Sequence, residues 1–307
     1  MTAQVIPFLL STIVAAALIR MTPLPADDAP AMPFEMSKPG LDVGVVVSDM
    51  DKAKKFYGDA LGLKLLQPLG VSLPGGGEMV RYQCGATVVK LRTFEKTPPK
   101  VEHGVMLANG IRLMTIMVKD PDAITKRLAD QGYQVPKFSP PSPAGYRVAF
   151  TEDPDGNRIE LLAWQPDAPA DIYDRFQIGL TVANAEKTRE FYGKVLGLKE
   201  RPPQPLPASI APDTNEYFFI AGETTVKFWS PKTDRPTRSG AIGDAQGVRY
   251  FTFVVKDVDA TYTALKSRGA NVVMPPTDLG TVARIMFISD PDGNAIEFAA
   301  RRSAPKQ

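Results

Sequence analysis

Two kinds of apolar spacing alternate along the chain. Residues 43–47, 113–117, 178–182 and 250–254 are dense in apolar and β-branched side chains, the signature of strands buried on at least one face. Each run is followed by an Asp or Asn (Asp49, Asp120, Asn184, Asp257) and then by apolar residues at 3–4 spacing. After Asp49, for instance, Ala53, Phe56, Tyr57, Ala60 and Leu61 fall on one stripe, which predicts an amphipathic helix with the carboxylate as its N-cap. Three further short strand patterns follow each helix. The last two are joined by Asp155-Gly156-Asn157 and by Asp292-Gly293-Asn294, residue types suited to a tight hairpin turn.

This grammar is written four times. FTEDPDGNRIELLAW at 150–164 returns as FISDPDGNAIEFAAR at 287–301, and VGVVVSDMDKAKKFYGDALGLK at 43–64 matches IGLTVANAEKTREFYGKVLGLK at 178–199. The strand-then-helix segments 113–132 and 250–269 repeat the same opening inside each copy. The expectation is an α+β protein of four βαβββ modules forming two paired domains, over 40–165 and 175–302, with the partner of module one, module two or module four, left open.

Ahead of the repeats, residues 5–19 form an uncharged apolar run, shorter than the roughly 20 residues a membrane span needs. Residues 1–20 therefore read as an export signal, implying periplasmic or extracellular residence. No Lys or Arg precedes the run, so an anchor or a non-native leader on a cytoplasmic protein stays open. Residues 21–39 are rich in Pro and Ala and read as a linker. Lys+Arg 36 against Asp+Glu 34 supplies no basic surface for nucleic acid. The single cysteine, Cys84, excludes an internal disulfide framework, and the single histidine, His103, excludes a His-rich catalytic metal site. Cys84 reads as a small packed residue before a hairpin glycine, and His103 as a loop residue.

The A..FY…LG opening and the DPDGN.IE ending resemble the vicinal oxygen chelate superfamily, which includes glyoxalase I, extradiol dioxygenases and the fosfomycin and bleomycin resistance proteins. The resemblance covers roughly 40–165 and 175–302. It implies that βαβββ modules pair so that their curved sheets close a cup. In metal-dependent relatives it also implies His, Gln or Glu at the positions matched here by Asp42, Leu113, Gln177 and Tyr250, and commonly Glu at those matched by Lys90, Glu160, Lys227 and Glu297.

Alternation along the strands assigns faces. Ile159 and Leu161 flank Glu160, Ile296 and Phe298 flank Glu297, Val89 and Leu91 flank Lys90, and Val226 and Phe228 flank Lys227. The apolar flanks should face the helices and the four charged residues the cup. Taken by halves, the expected ion pairs are Lys90–Glu160 and Lys227–Glu297, each standing where relatives hold metal. Alternation likewise assigns Arg147 and Arg284 to the cup as contacts for an anionic ligand group, and Trp229, Tyr250 and Met286 to the second cup as an apolar lining.

These residues favour a metal-free small-molecule binding protein, with no cofactor and with homo-oligomerisation open. The rival is a glyoxalase-type lyase or isomerase, with Glu160 or Glu297 as proton-transfer base and a weakly held divalent metal such as Mg²⁺ or Ca²⁺. An extradiol dioxygenase, which needs two His and a carboxylate, is not supported.

Overall fold

The computed structural model describes residues 31–101, 104–206, 211–237 and 240–302. Module one comprises β1 (Asp42–Val46), α1 (Met50–Lys54) with a π-helical continuation (Lys55–Ala60), β2 (Lys64–Leu65), β3 (Met79–Cys84) and β4 (Thr87–Arg92). Module two comprises β5 (Gly110–Val118), α2 (Pro121–Asp130), β6 (Tyr146–Glu152) and β7 (Arg158–Trp164). Module three comprises β8 (Phe176–Thr181), α3 (Ala185–Glu190) with its own π-helical continuation (Phe191–Val195), β9 (Lys199–Pro205), β10 (Asn215–Ala221) and β11 (Thr224–Trp229). Module four comprises β12 (Gly247–Val254), α4 (Val258–Ser267), β13 (Asn271–Leu279), β14 (Ala283–Ser289) and β15 (Ala295–Arg301).

All four expected N-caps form. The side chains of Asp49, Asp120, Asn184 and Asp257 accept from backbone N–H groups of the first helical turn, satisfying donors that the helix cannot. Ala53, Phe56, Tyr57, Ala60 and Leu61 are all buried on one core with the matching residues of the other modules. Module two departs from the expected pattern. Its segment after α2 carries Pro136, Pro140, Pro141 and Pro143 and forms no strand before β6; its backbone bonds to β6 are Ser139 N–H to Val148 C=O and Ser142 N–H to Tyr146 C=O.

The modules pair across the halves. One sheet has the order β13-β14-β15-β12-β1-β4-β3-β2, joining modules four and one. The other runs β6-β7-β5-β8-β11-β10-β9, joining two and three. At each centre the opening strands meet antiparallel, β1 with β12 and β5 with β8. The DPDGN turns supply the contacts inside each half. Tyr57 donates to Asp153 at 3.0 Å and Tyr192 to Asp290 at 3.3 Å, while Asp155 accepts from the backbone N–H of Ser48 at 2.9 Å and Asp292 from that of Ala183 at 2.8 Å.

The expected leader, 1–20, lies outside the described residues, as does His103. Among the described residues no helix is long and apolar enough to cross a membrane. The end of the expected linker is docked onto module four: Phe34 is buried edge-on against Phe253 and Phe298, and Ser37 N–H donates to Val254 C=O.

Candidate functional site

Strand parity places Lys90, Glu160, Lys227 and Glu297 on the faces turned from the helices, as expected, but the cross-pairing exchanges their partners. Lys90 meets Glu297 at 2.6 Å and Lys227 meets Glu160 at 2.9 Å. The expected Lys90–Glu160 and Lys227–Glu297 pairs are therefore corrected. Each lysine and its same-half glutamate lie in different sheets, because β4 and β15 flank one central strand pair and β11 and β7 the other.

In the eight-stranded cup, Glu297 Oε2 accepts from Lys90 Nζ and from Thr252 Oγ1, and Lys90 Nζ also lies 2.6 Å from Thr252 Oγ1. The ammonium sits over the Tyr250 ring, 4.7 Å from its centroid. Gly44, between β4 and β12 in the sheet, makes room for that ring; a Cβ there would fall 1.9 Å from Tyr250 Cε1. Asp42 accepts from Lys38 Nζ and from Val88 N–H. Burial works to lower the Lys90 pKa, but the charges of Glu297, Tyr250 and Asp42 outweigh it and hold Lys90 above the ordinary lysine range. The Lys90 and Glu297 side chains remain about a tenth exposed, at 11% and 10%.

The seven-stranded cup is closed. Lys227 and Glu160 are only 2% and 1% exposed, and Leu113, Trp229, Leu206 and Ala211 pack over one side while Met117, Tyr146, Val148 and Leu162 fill the other. Glu160 Oε2 accepts from Lys227 and, at 2.6 Å, from Thr115 Oγ1. A second carboxylate stands here, Glu216, 3.7 Å from Lys227 Nζ. Burial and the neighbouring Glu160 push its pKa up to about 7, against the pull of Lys227. Among the described residues, Glu160 Oε1, Glu216 Oε1, Tyr146 OH and Trp164 Nε1 are buried and find no hydrogen-bond partner.

Of the remaining expected residues, Asp42 and Tyr250 share the first cup, while Gln177 and Trp229 share the second. Trp229 donates to Thr181 Oγ1 at 2.7 Å. The expected grouping of Tyr250 with Trp229 is thus corrected. Three further expectations reverse. Met286 pairs with Phe298 on the helix face and lies in the main core. Arg284, in the same phase, clamps Asp259 of α4 through two nitrogens at 2.7 and 2.8 Å. Arg147 pairs with Ala163, also on the helix face, and donates to Ser139 C=O. The error starts at β6, which turns Tyr146, Val148 and Phe150 into a filled cup, so apolar side chains there do not mark the helix side; Arg284 and Met286 on β14 inherit it across the repeat. Cys84 is buried, and burial pushes its thiol up to about 12, in keeping with a packing role.

Sequence reasoning gave no role to Glu216, Thr115 or Thr252, although alternation sets Thr115 on the face of Leu113 and Thr252 on that of Tyr250. Glu216 was readable from the hairpin around Gly222, whose register sets it opposite Trp229 and on the face of Lys227.

The match to known proteins agrees with this architecture. Residues 41–161 and 175–298 fit the family model described as "Glyoxalase/Bleomycin resistance protein/Dioxygenase superfamily". The chain belongs to this superfamily, with two copies of its domain in tandem. It is 30% identical over 119 residues to the lactoylglutathione lyase of Haemophilus influenzae, covering 38% of this chain and 85% of that one. It is 26% identical over 283 residues to the lactoylglutathione lyase GLX1 of Arabidopsis thaliana, covering 87% of this chain and 93% of that one. Glyoxalase I from Zea mays superposes with a TM-score of 0.64 at 21% identity, covering 86% of this chain and 92% of that one, a likeness of fold.

Proposed function

We propose that this protein binds a small organic molecule in its eight-stranded cup without a metal, the Lys90–Glu297 pair taking the space that metal-dependent relatives give to a cation. The observation that carries this reading is the 2.6 Å contact of Lys90 Nζ with Glu297 Oε2. The donor set is a poor fit to a divalent ion: the first cup offers Asp42, Tyr250, Thr252 and one Glu beside an ammonium, and that ammonium would repel a second cation. In the other cup Lys227 stands in the same relation to Glu160. Among the described residues no group of three His, Cys, Asp or Glu converges on a common point. Exposure favours the first cup as the ligand site, since Lys90 and Glu297 touch solvent and Lys227 and Glu160 do not.

Metal content of protein purified without chelator or nickel resin tests this directly. Inductively coupled plasma mass spectrometry should find far less than one metal per chain in wild type, Glu160→Ala and Glu297→Ala. Near-stoichiometric metal that disappears in Glu297→Ala would overturn the reading.

A glyoxalase-type lyase or isomerase is the second reading, favoured by the similarity to lactoylglutathione lyases. Its base would be Glu297, which solvent reaches, rather than the closed-in Glu160. Proton exchange on a carbonyl substrate that is lost in Glu297→Gln and kept in Glu160→Gln would establish it; saturable binding without turnover supports the first reading.

A further inference from the structure

Beside the Lys90–Glu297 pair the eight-stranded sheet opens into a cleft of about 490 Å³, lined by Lys38, Arg81, Arg301, Gln67 and Gln83 together with apolar atoms. We propose that this cleft is an oxyanion subsite, taking a carboxylate or phosphate group of the ligand whose remainder lies over Lys90 and Glu297. The inference rests on the reading of this cup as the ligand site and adds the chemical class of the ligand.

Three observations carry it. The first is charge. Among the described residues, Lys38, Arg81, Lys90 and Arg301 gather against two carboxylates, Asp42 and Glu297, and each of these already accepts from a lysine, Lys38 and Lys90 respectively. The cations perturb one another: burial chiefly, then the charges of Arg301 and Lys90, lower Lys38 in spite of Asp42, and burial followed by Arg301 lowers Arg81.

The second is register. Arg81 lies directly opposite Lys90 on adjacent antiparallel strands, where side chains share a face and like charges destabilise the sheet. Arg301 lies four residues beyond Glu297 on β15, hence on the same face. Arg81 and Arg301 of the cleft therefore share the sheet face of the ion pair. A bound oxyanion would relieve the repulsion, and guanidinium forks match its geometry.

The third is the comparison of the two cups. At the offsets of 135 and 137 that relate the repeats, Lys38, Arg81 and Arg301 correspond to Tyr173, Phe218 and Trp164. In the closed cup, Trp164 packs edge-on against Tyr146 at 5.3 Å and Tyr173 packs against the same cluster. Phe218 is buried opposite Lys227, so the same three positions are aromatic in the closed cup and cationic in the other.

Isothermal titration calorimetry on the full chain at pH 7 and constant ionic strength tests the subsite. Succinate, inorganic phosphate and uncharged succinamide would be titrated through the millimolar range into wild type, Arg81→Gln/Arg301→Gln and, as a basic residue on the helix face of the other sheet, Arg147→Gln. Saturable binding of succinate or phosphate, none of succinamide, and at least a tenfold loss of affinity confined to the double variant is the expected result. The tighter of the two anions identifies the carboxylate or the phosphate as the preferred group. Absence of saturable binding by either anion, or equal affinity in the double variant, would overturn the proposal. Metal lost in Glu297→Ala would instead count against the metal-free reading and leave the anion result standing.

Discussion

Lys227 stands between two carboxylates, and one ammonium neutralises only one of them. Glu216 is the odd group, fully enclosed and pushed up to about 7, against 4.5 for an ordinary glutamate. A carboxyl whose folded pKa is raised binds more protons folded than unfolded between those values. Stability from this group therefore falls as pH rises from about 4.5 to 7 and is level above. At pH 8 the ionised Glu216 costs on the order of 3 kcal/mol, which Glu216→Gln should remove. Urea unfolding should then show the variant gaining about 2–3 kcal/mol on wild type between pH 5 and pH 8. Parallel stability curves for the two proteins would contradict this. Single residues also mark how far the sequence could be read. Lys90, Glu160, Lys227 and Glu297 were assigned to the correct face because apolar neighbours on both sides pack under helices. Arg147, Arg284 and Met286 were not, because β6 has apolar residues on both faces and β14 directs Met286 into the core.

The helices and hairpins were legible because their signals are local: four N-caps, a 3–4 stripe and two DPDGN turns. Those turns do more than reverse the chain. Asp153 accepts from the N–H groups of Asp155 and Asn157, from Asn157 Nδ2 and from Tyr57 OH, and Asp290 repeats the set with Asp292, Asn294 and Tyr192. The FY of each opening and the DPDGN of each ending are thus two ends of one contact, which joins the helix of one module to the turn of the next. Burial pushes both Asp153 and Asp290 up to about 6, so their protons are held more tightly folded than unfolded. Removing the carboxyl in Asp153→Ala leaves several buried donors unmatched and should cost about 3 kcal/mol, whereas Tyr57→Phe should cost about 1 kcal/mol. In the double variant the two losses should fall short of additivity by about 1 kcal/mol. Additive losses in thermal or urea unfolding would mean that the Tyr57–Asp153 bond carries no energy.

At the scale of the whole molecule the sequence was silent on pairing, and the reason is the repeat itself. Modules two and four present similar opening strands, so β1 could pair with β5 or with β12 by pattern alone, and long-range register is not written in periodicity. The fold selects β12, and the consequence reaches the sites: each cup takes its lysine from one half and its glutamate from the other. Neither half can then complete a cup in the observed arrangement. Residues 31–168 expressed alone would leave β1 and β5 with their antiparallel partners missing, two open edges ready to pair with another chain. The DPDGN contact keeps modules one and two joined through Tyr57–Asp153, with β1 and β5 held in different sheets. The isolated half should therefore form a dimer, β1 of one copy against β5 of the other, or aggregate. Co-expressed with residues 169–302 it should recover a one-to-one complex the size of the intact chain. Size-exclusion chromatography with light scattering distinguishes these states, and a well-folded monomeric half would show that pairing across the halves is dispensable.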